Sequence, residues 1–218
     1  ITICDGMAAD FAECKEHIVP AHPFSDDIIS VSRKLAERFC CDTEHIHQVE
    51  IAALKLFDAL RKANHLTKKD RLLLQIAAIL HNCGSFLNLN DIGENSYKIV
   101  TSTEIIGLSH QERMIVAYVI RYTTGDFPEY SEIKNEFSRE EYIKIAKLNA
   151  ILCLADAMDR SHQQKFTNFT VRKRGYDLTI TGQTLYDITL EHGMFIQKSP
   201  FFEEAFGIRP VLRQKKCL

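Results

Sequence analysis

The chain has 218 residues, 45% of them apolar and 26% charged, with a formal net charge of −2. That composition excludes a disordered or fibrous chain and supplies one large domain, or one domain with a smaller appendage. No window approaches the roughly 20 apolar residues that span a bilayer. The opening Ile1-Thr2-Ile3-Cys4-Asp5 has no initiator Met and no leader pattern, so it reads as the start of a piece cut from a longer protein.

In chain order the first signals are helical. Ile28, Ile29, Val31, Leu35, Ala36 and Phe39 fall on one face. Val49, Ala52, Ala53, Leu56, Phe57 and Leu60 form a second, led in by Asp42 and Thr43 as caps. Leu72 to Leu80 is apolar nearly all round and predicts a central, buried helix. Ser109 with Glu112, and Ser138 with Glu141, have the spacing of capping boxes, the second opening a long helix through Met158. After Arg160 the pattern changes. Phe166–Val171, Tyr176–Thr181 and Leu185–Leu190 read as strands punctuated by Gly175 and Gly182. A short helix from Pro200 to Phe206, closed by Gly207, and a last strand from Ile208 to Leu212 complete the reading.

The fold class is therefore mainly α: a helical bundle over residues 25–162, then a small α+β unit over 163–218, with 1–24 as the remnant of a preceding domain and its linker. Charge divides in the same place. Residues 1–159 carry 17 Lys/Arg against 24 Asp/Glu, and residues 160–218 carry 10 against 5. A basic second unit suggests an anionic partner, or an electrostatic match between the two parts. The seven cysteines are scattered without a C-x-x-C pair, which predicts reduced, buried thiols in a cytoplasmic protein.

Chemistry concentrates at His45, His81, Asn82 and Asp156. His45 lies four residues before Val49 on the buried stripe, His81 ends the most apolar helix, and Asp156 interrupts the run Ala150–Ala155. A carboxylate there is costly unless paired or bound to a cation. Two imidazoles and a carboxylate suit a divalent metal, which would activate a bound water. Hydrogen-bonded core histidines and an Asp156–Arg160 pair at i, i+4 are the alternative. Two basic runs, Arg172-Lys173-Arg174 and Arg213-Gln214-Lys215-Lys216, form either an electropositive groove for a chain of phosphates or a solvated hairpin tip and terminus. Arg172, Lys173, Arg174 and Lys215 are the phosphate-binding candidates. Phe169, Tyr176 and Tyr186 interleave with basic residues as in single-strand binders, but strand cores look the same and no specific nucleic acid is expected.

Several runs together resemble the Ppx/GppA family of exopolyphosphatases and guanosine pentaphosphate phosphatases. They are Glu44–Val49, Leu56-Phe57-Asp58, Leu73–Gly84, Ser96-Tyr97, Gly107-Leu108-Ser109, Arg121-Tyr122, Leu154–His162 and Phe202–Gly207. The match is to the family's C-terminal part, an HD-type helical domain plus a small α+β domain. The resemblance implies that hydrolysis of the terminal phosphoanhydride, with Mg²⁺, belongs to N-terminal actin-like domains that have no counterpart here, and no glycine-rich phosphate loop occurs in this chain. It also implies binding of polyphosphate or a guanosine nucleotide, a homodimer, and contact with the rest of the parent phosphatase. The sequence departs from the family at Asn82, where an aspartate is usual, at Ile92-Gly93-Glu94-Asn95, which lacks the family's histidines, and at Thr123. A carboxamide can ligate but carries no charge, so the HD metal site is expected to be degenerate, holding at most a weak divalent ion through His45, His81 and Asp156, with no cofactor otherwise. The competing readings are an active metal-dependent HD phosphohydrolase and a purely structural dimerisation module.

Overall fold

The computed structural model describes residues 24–215, so the expected N-terminal remnant and Lys216 lie outside the described residues. Among these are eight α-helices, a short 3-10 turn and a three-stranded sheet. Helix α1 (Phe24–Arg38) and α2 (Thr43–Asn64) precede α3 (Lys68–Leu80), the 3-10 turn (Cys83–Phe86) and α4 (Ile92–Ser102). Next come α5 (His110–Arg121), a single turn α6 (Tyr130–Ile133) and α7 (Arg139–Ala157). Strands β1 (Asn168–Arg174) and β2 (Asp177–Gln183), helix α8 (Thr189–Phe206) and β3 (Arg209–Lys215) follow.

Local chemistry sets most helix starts. Asp42 accepts from the His45 amide at the head of α2. Thr67 with Asp70, Ser109 with Glu112, and Ser138 with Glu141 form reciprocal capping boxes on α3, α5 and α7. Because α3 is apolar almost all round, it is driven to the centre, where it packs against α1, α2, α5 and α7. Leu74, Ile76, Ala77, Ala78, Ile79 and Leu80 have no exposed surface. Each leucine and isoleucine among them contributes about 1.5–3 kcal/mol of transfer free energy. No helix among the described residues is long and apolar enough to cross a membrane, and Cys41, Cys83 and Cys153 are buried free thiols.

The strand order is β1-β2-β3, with β1 antiparallel to β2 and β2 parallel to β3. Gly175 at φ 58 and Tyr176 turn the hairpin, and α8 supplies the crossover that a parallel pair requires. Two expectations are corrected here. Leu185–Leu190 is not a strand: Asp187 accepts from the amide and hydroxyl of Thr189 (3.0 and 2.6 Å) and opens α8, a local bond that competes with strand pairing. The last helix does not begin at Pro200 but runs from Thr189 with Pro200 inside it. The proline reads as a start because it lacks an N–H, yet burial of Phe195 and Phe202 holds the helix through it.

The helical bundle and the sheet share one continuous apolar core, from Phe57 and Leu154 to Phe166, Ile180 and Phe202. Polar anchors cross the junction: Gln48 donates to the Phe166 carbonyl, Lys198 donates to the Thr123 carbonyl (2.8 Å), and the fully buried Glu191 accepts from Lys165 (3.1 Å) and the Ser161 hydroxyl.

Candidate functional site

Three elements bring the histidine–carboxylate cluster together. His45 stands in the first turn of α2, His81 caps the C-terminal end of α3, and Asp156 lies in the last turn of α7. His45 and His81 are buried, and the Asp156 side chain is 16% exposed, giving the cluster an opening to solvent. The His45 and His81 Nε2 atoms are 3.2 Å apart, and Asp156 Oδ1 lies 3.4 Å from the first and 3.6 Å from the second.

Hydrogen bonding fixes which ring nitrogens carry protons. His81 Nδ1 lies 2.7 Å from the Ala78 carbonyl, which can only accept, so Nδ1 must donate. His45 Nδ1 lies 2.9 Å from Oδ2 of the buried Asp159, a carboxylate holding an imidazole from behind. Both Nε2 atoms of the neutral rings therefore turn bare lone pairs towards each other and towards Asp156 Oδ1. Three acceptors with no donor between them are mutually repulsive, and only a cation or a proton relieves that. The spacing fits a divalent ion: bonds of about 2.1 Å at tetrahedral or octahedral angles place ligand atoms roughly 3.0–3.4 Å apart. A proton shared by the cluster can fill the same role. Burial works to lower the His45 pKa, but hydrogen bonds to Asp156 and Asp159 and their charges overcome it and push the pKa up to about 9. For Asp156 burial works upward, and the His45 and His81 hydrogen bonds prevail, holding the carboxyl far below the usual carboxylate range.

The surroundings orient the ligands. Arg160 Nη1 lies 3.6 Å from Asp156 Oδ2, leaving Oδ1 to face the histidines. The His162 ring stacks on His45 with centroids 3.7 Å apart, and its Nδ1 is 2.9 Å from Asp42 Oδ2. Ser96 Oγ donates to the His81 carbonyl (2.9 Å) and accepts from the Gly84 amide (2.7 Å). Gly84 permits this, since a Cβ there would stand 2.3 Å from the Ile92 carbonyl oxygen and 2.5 Å from the Ser96 nitrogen. Asn82 is half-buried; its carbonyl accepts from the Ser85 amide and hydroxyl (3.1 and 2.7 Å), and its side chain forms no helix cap.

The residues that follow Asp156 also reach the α+β unit. Ser161, bonded to Glu191, does this. Asp159 and His162 stand instead against His45 of the cluster, the first by a hydrogen bond and the second by stacking.

The basic candidates separate. Cross-strand partners share a face of the sheet and alternate residues change face. The register aligns Asn168, Gln183 and Lys215 in one row, Thr170, Thr181 and Arg213 in the next, then Arg172, Thr179 and Val211, and finally Arg174, Asp177 and Arg209. Arg172, Arg174, Arg213 and Lys215 thus lie on the outer face, whereas Lys173 belongs to the opposite face with Phe169 and Val171. Asp177 on the outer face is bonded by Arg209 at 2.9 Å. Among the described residues no carboxylate pairs with the other four cations. A hollow of about 490 Å³ lies beside Asn168, Thr170, Arg172, Thr181, Gln183 and Lys215.

The family model for Ppx/GppA phosphatase, domain III, matches residues 29–198. A helical bundle with a histidine–aspartate cluster and a small sheet-bearing unit agrees with it, and the chain belongs to that family. No curated protein matches the chain significantly.

Proposed function

We propose that the chain serves a Ppx/GppA-type phosphatase as a substrate-holding module, binding polyphosphate or guanosine pentaphosphate on the outer face of its sheet. The observation that carries this reading is the set of four cations on one exposed face, Arg172, Arg174, Arg213 and Lys215, which form no ion pair among the described residues. A chain of phosphates has the charge density that releases counterions on meeting such a face. The threonine and amide side chains between the cations supply hydrogen bonds to phosphate oxygens. Hydrolysis of the terminal phosphoanhydride belongs in this reading to other domains of the parent protein. Titration of the chain with polyphosphate tests it: saturable binding, lost when the four cations are replaced by glutamine, is the expected result. Unaltered binding by the fourfold variant would overturn it.

A second reading is favoured by the two facing imidazole lone pairs. His45, His81 and Asp156 would hold a divalent ion, as in a metal-dependent HD phosphohydrolase, and the ion would supply an acidified water and polarise a phosphoryl oxygen. Asp159 holds the His45 tautomer, Arg160 occupies the second Asp156 oxygen, and Asn82 stands where the family resemblance implies an aspartate. Metal analysis of the purified chain beside an Asn82→Asp variant tests this. Stoichiometric metal in the native chain is expected, and metal in the variant alone would show a site disabled at that position.

Self-association completes the proposal, supported by the exposed apolar side chains Phe86, Leu87 and Leu89 beside the cluster-bearing turn. Sedimentation of a Leu87→Glu, Leu89→Glu variant as a monomer, against a native dimer, is the expected result.

A further inference from the structure

A second concave site shares no residue with the cluster or the basic face. It is a pocket of about 410 Å³ between the Gly125–Glu129 loop, α7 and α8. Its walls are aromatic. The Phe127 ring packs 5.5 Å from Tyr122, 5.6 Å from Tyr142 and 5.0 Å from Phe201, centroid to centroid. Its floor is polar and buried, formed by Asn149 and Cys153, with the half-buried Lys198 beside them. Its rim carries the exposed carboxylates Asp126, Glu129 and Glu204.

Each layer restricts what can enter. Burial pushes the Cys153 thiol up to about 12, against the opposing influence of Lys198. The thiol therefore stays protonated, donating weakly to Asn149 Oδ1 (3.6 Å), and offers no nucleophile. Lys198 has three N–H donors and uses one on the Thr123 carbonyl (2.8 Å). The others remain for an oxygen acceptor coming from above. Aromatic faces and acidic rim residues both attract a positive charge. A ligand that satisfies all three layers has an oxygen acceptor at its inner end, a flat apolar body and a cation at its outer end. The volume suits a small molecule of this kind.

We propose that this pocket binds an aromatic amine, with its ring against the packed cluster of Tyr122, Phe127, Tyr142 and Phe201, its oxygen on Lys198 and its ammonium between Asp126 and Glu204. The site is independent of the substrate-holding face, since it shares no residue with it. Three probes test the arrangement by amide chemical-shift titration: tyramine, 4-hydroxyphenylacetate with the same ring and hydroxyl but an anionic end, and 2-phenylethylamine without the hydroxyl. Tyramine should saturate shifts confined to the loop and the facing turns of α7 and α8. Each of the other two should bind at least about fivefold more weakly, the factor expected from losing one or two exposed charge contacts or one hydrogen bond. An Asp126→Asn, Glu204→Gln variant, altered only at exposed side chains, should weaken tyramine by a similar factor and bring it level with the hydroxyphenylacetate. Absence of saturable tyramine binding to the native chain would overturn the proposal. So would equal binding of the anionic probe, or tyramine binding unchanged in the double variant.

Discussion

Salt dependence gives the sharpest test of the outer sheet face. Four cations that pair with no carboxylate among the described residues stand on it. Each contact between a cation and a single-stranded polyphosphate backbone contributes about −0.7 to the slope of log K against log salt, so four give roughly −2.8. Affinity should then fall by about 50-fold between 50 and 200 mM salt. An Arg172→Gln, Arg213→Gln variant removes half of the contacts. Its slope should drop to roughly −1.4 and its loss over the same range to about sevenfold. Lys173→Gln is the internal control. It removes the same charge from the same strand, but from the opposite face, and should leave the slope unaltered. All three side chains are exposed, so folding is not at issue. The assay is fluorescence anisotropy of end-labelled polyphosphate at several salt concentrations. A slope near zero for the native chain, or a reduction from Lys173→Gln equal to that from the double arginine variant, would refute the assignment of binding to this face.

Three further outcomes are expected. Gly84→Ala should destabilise the chain by about 1–3 kcal/mol, the usual result of overpacking, because its Cβ meets backbone of α4 on contact; denaturant titration reads it, and an unchanged midpoint would mean that α4 can shift. Asp159→Asn should weaken divalent metal binding about 10–100-fold, as loss of a carboxylate behind a ligating histidine does, and should do so with little change in far-ultraviolet dichroism. For Glu191 burial works to raise the pKa, but the Ser161 and backbone hydrogen bonds and Lys165 prevail and hold it below the ordinary glutamate range. A depressed carboxylate contributes stability that is present above its unfolded pKa and lost as the pH falls through the folded one. Acid should therefore weaken the docking of α8 below about pH 4.5, and Glu191→Gln should remove that part of the pH dependence of the melting temperature.

What could be read in the sequence was what is decided locally. The caps at Asp42, Ser109 and Ser138 lie within three residues of the groups they satisfy. The central position of α3 follows from its own composition. His45, His81 and Asp156 stood out because each is a polar side chain in an apolar run. Asp159 did not stand out as a partner of His45, because that bond joins residues 114 apart in sequence. The separation of Lys173 from Arg172 and Arg174 follows from alternation along β1, but which face is outer depends on the packing of Phe169 and Val171 onto the bundle. The true length of α8 was hidden by Gly193 and Pro200, two residues that normally break helices, and by the tertiary burial that overrides them.

The cluster and the basic face are joined by the short segment from Asp159 to Phe166. Asp159 holds His45 through one oxygen and the Gln164 amide through the other, at 2.7 Å. Two residues on, Ser161 reaches Glu191 at the start of α8, and Lys165 pairs with the same carboxylate. The Phe166 carbonyl is then taken by Gln48 on α2, the helix that carries His45. These are buried or half-buried polar bonds, whose loss leaves an unsatisfied group at a cost of about 1–3 kcal/mol each. The segment therefore has little freedom to let the sheet move independently of the cluster. Any cation that draws His45, His81 and Asp156 together acts on Asp159 and through it on the linker to the sheet. Divalent metal should accordingly slow hydrogen exchange at the Gln164 amide as well as in the first turn of α2. Protection limited to α2 would show that the two sites share a fold but no mechanical link.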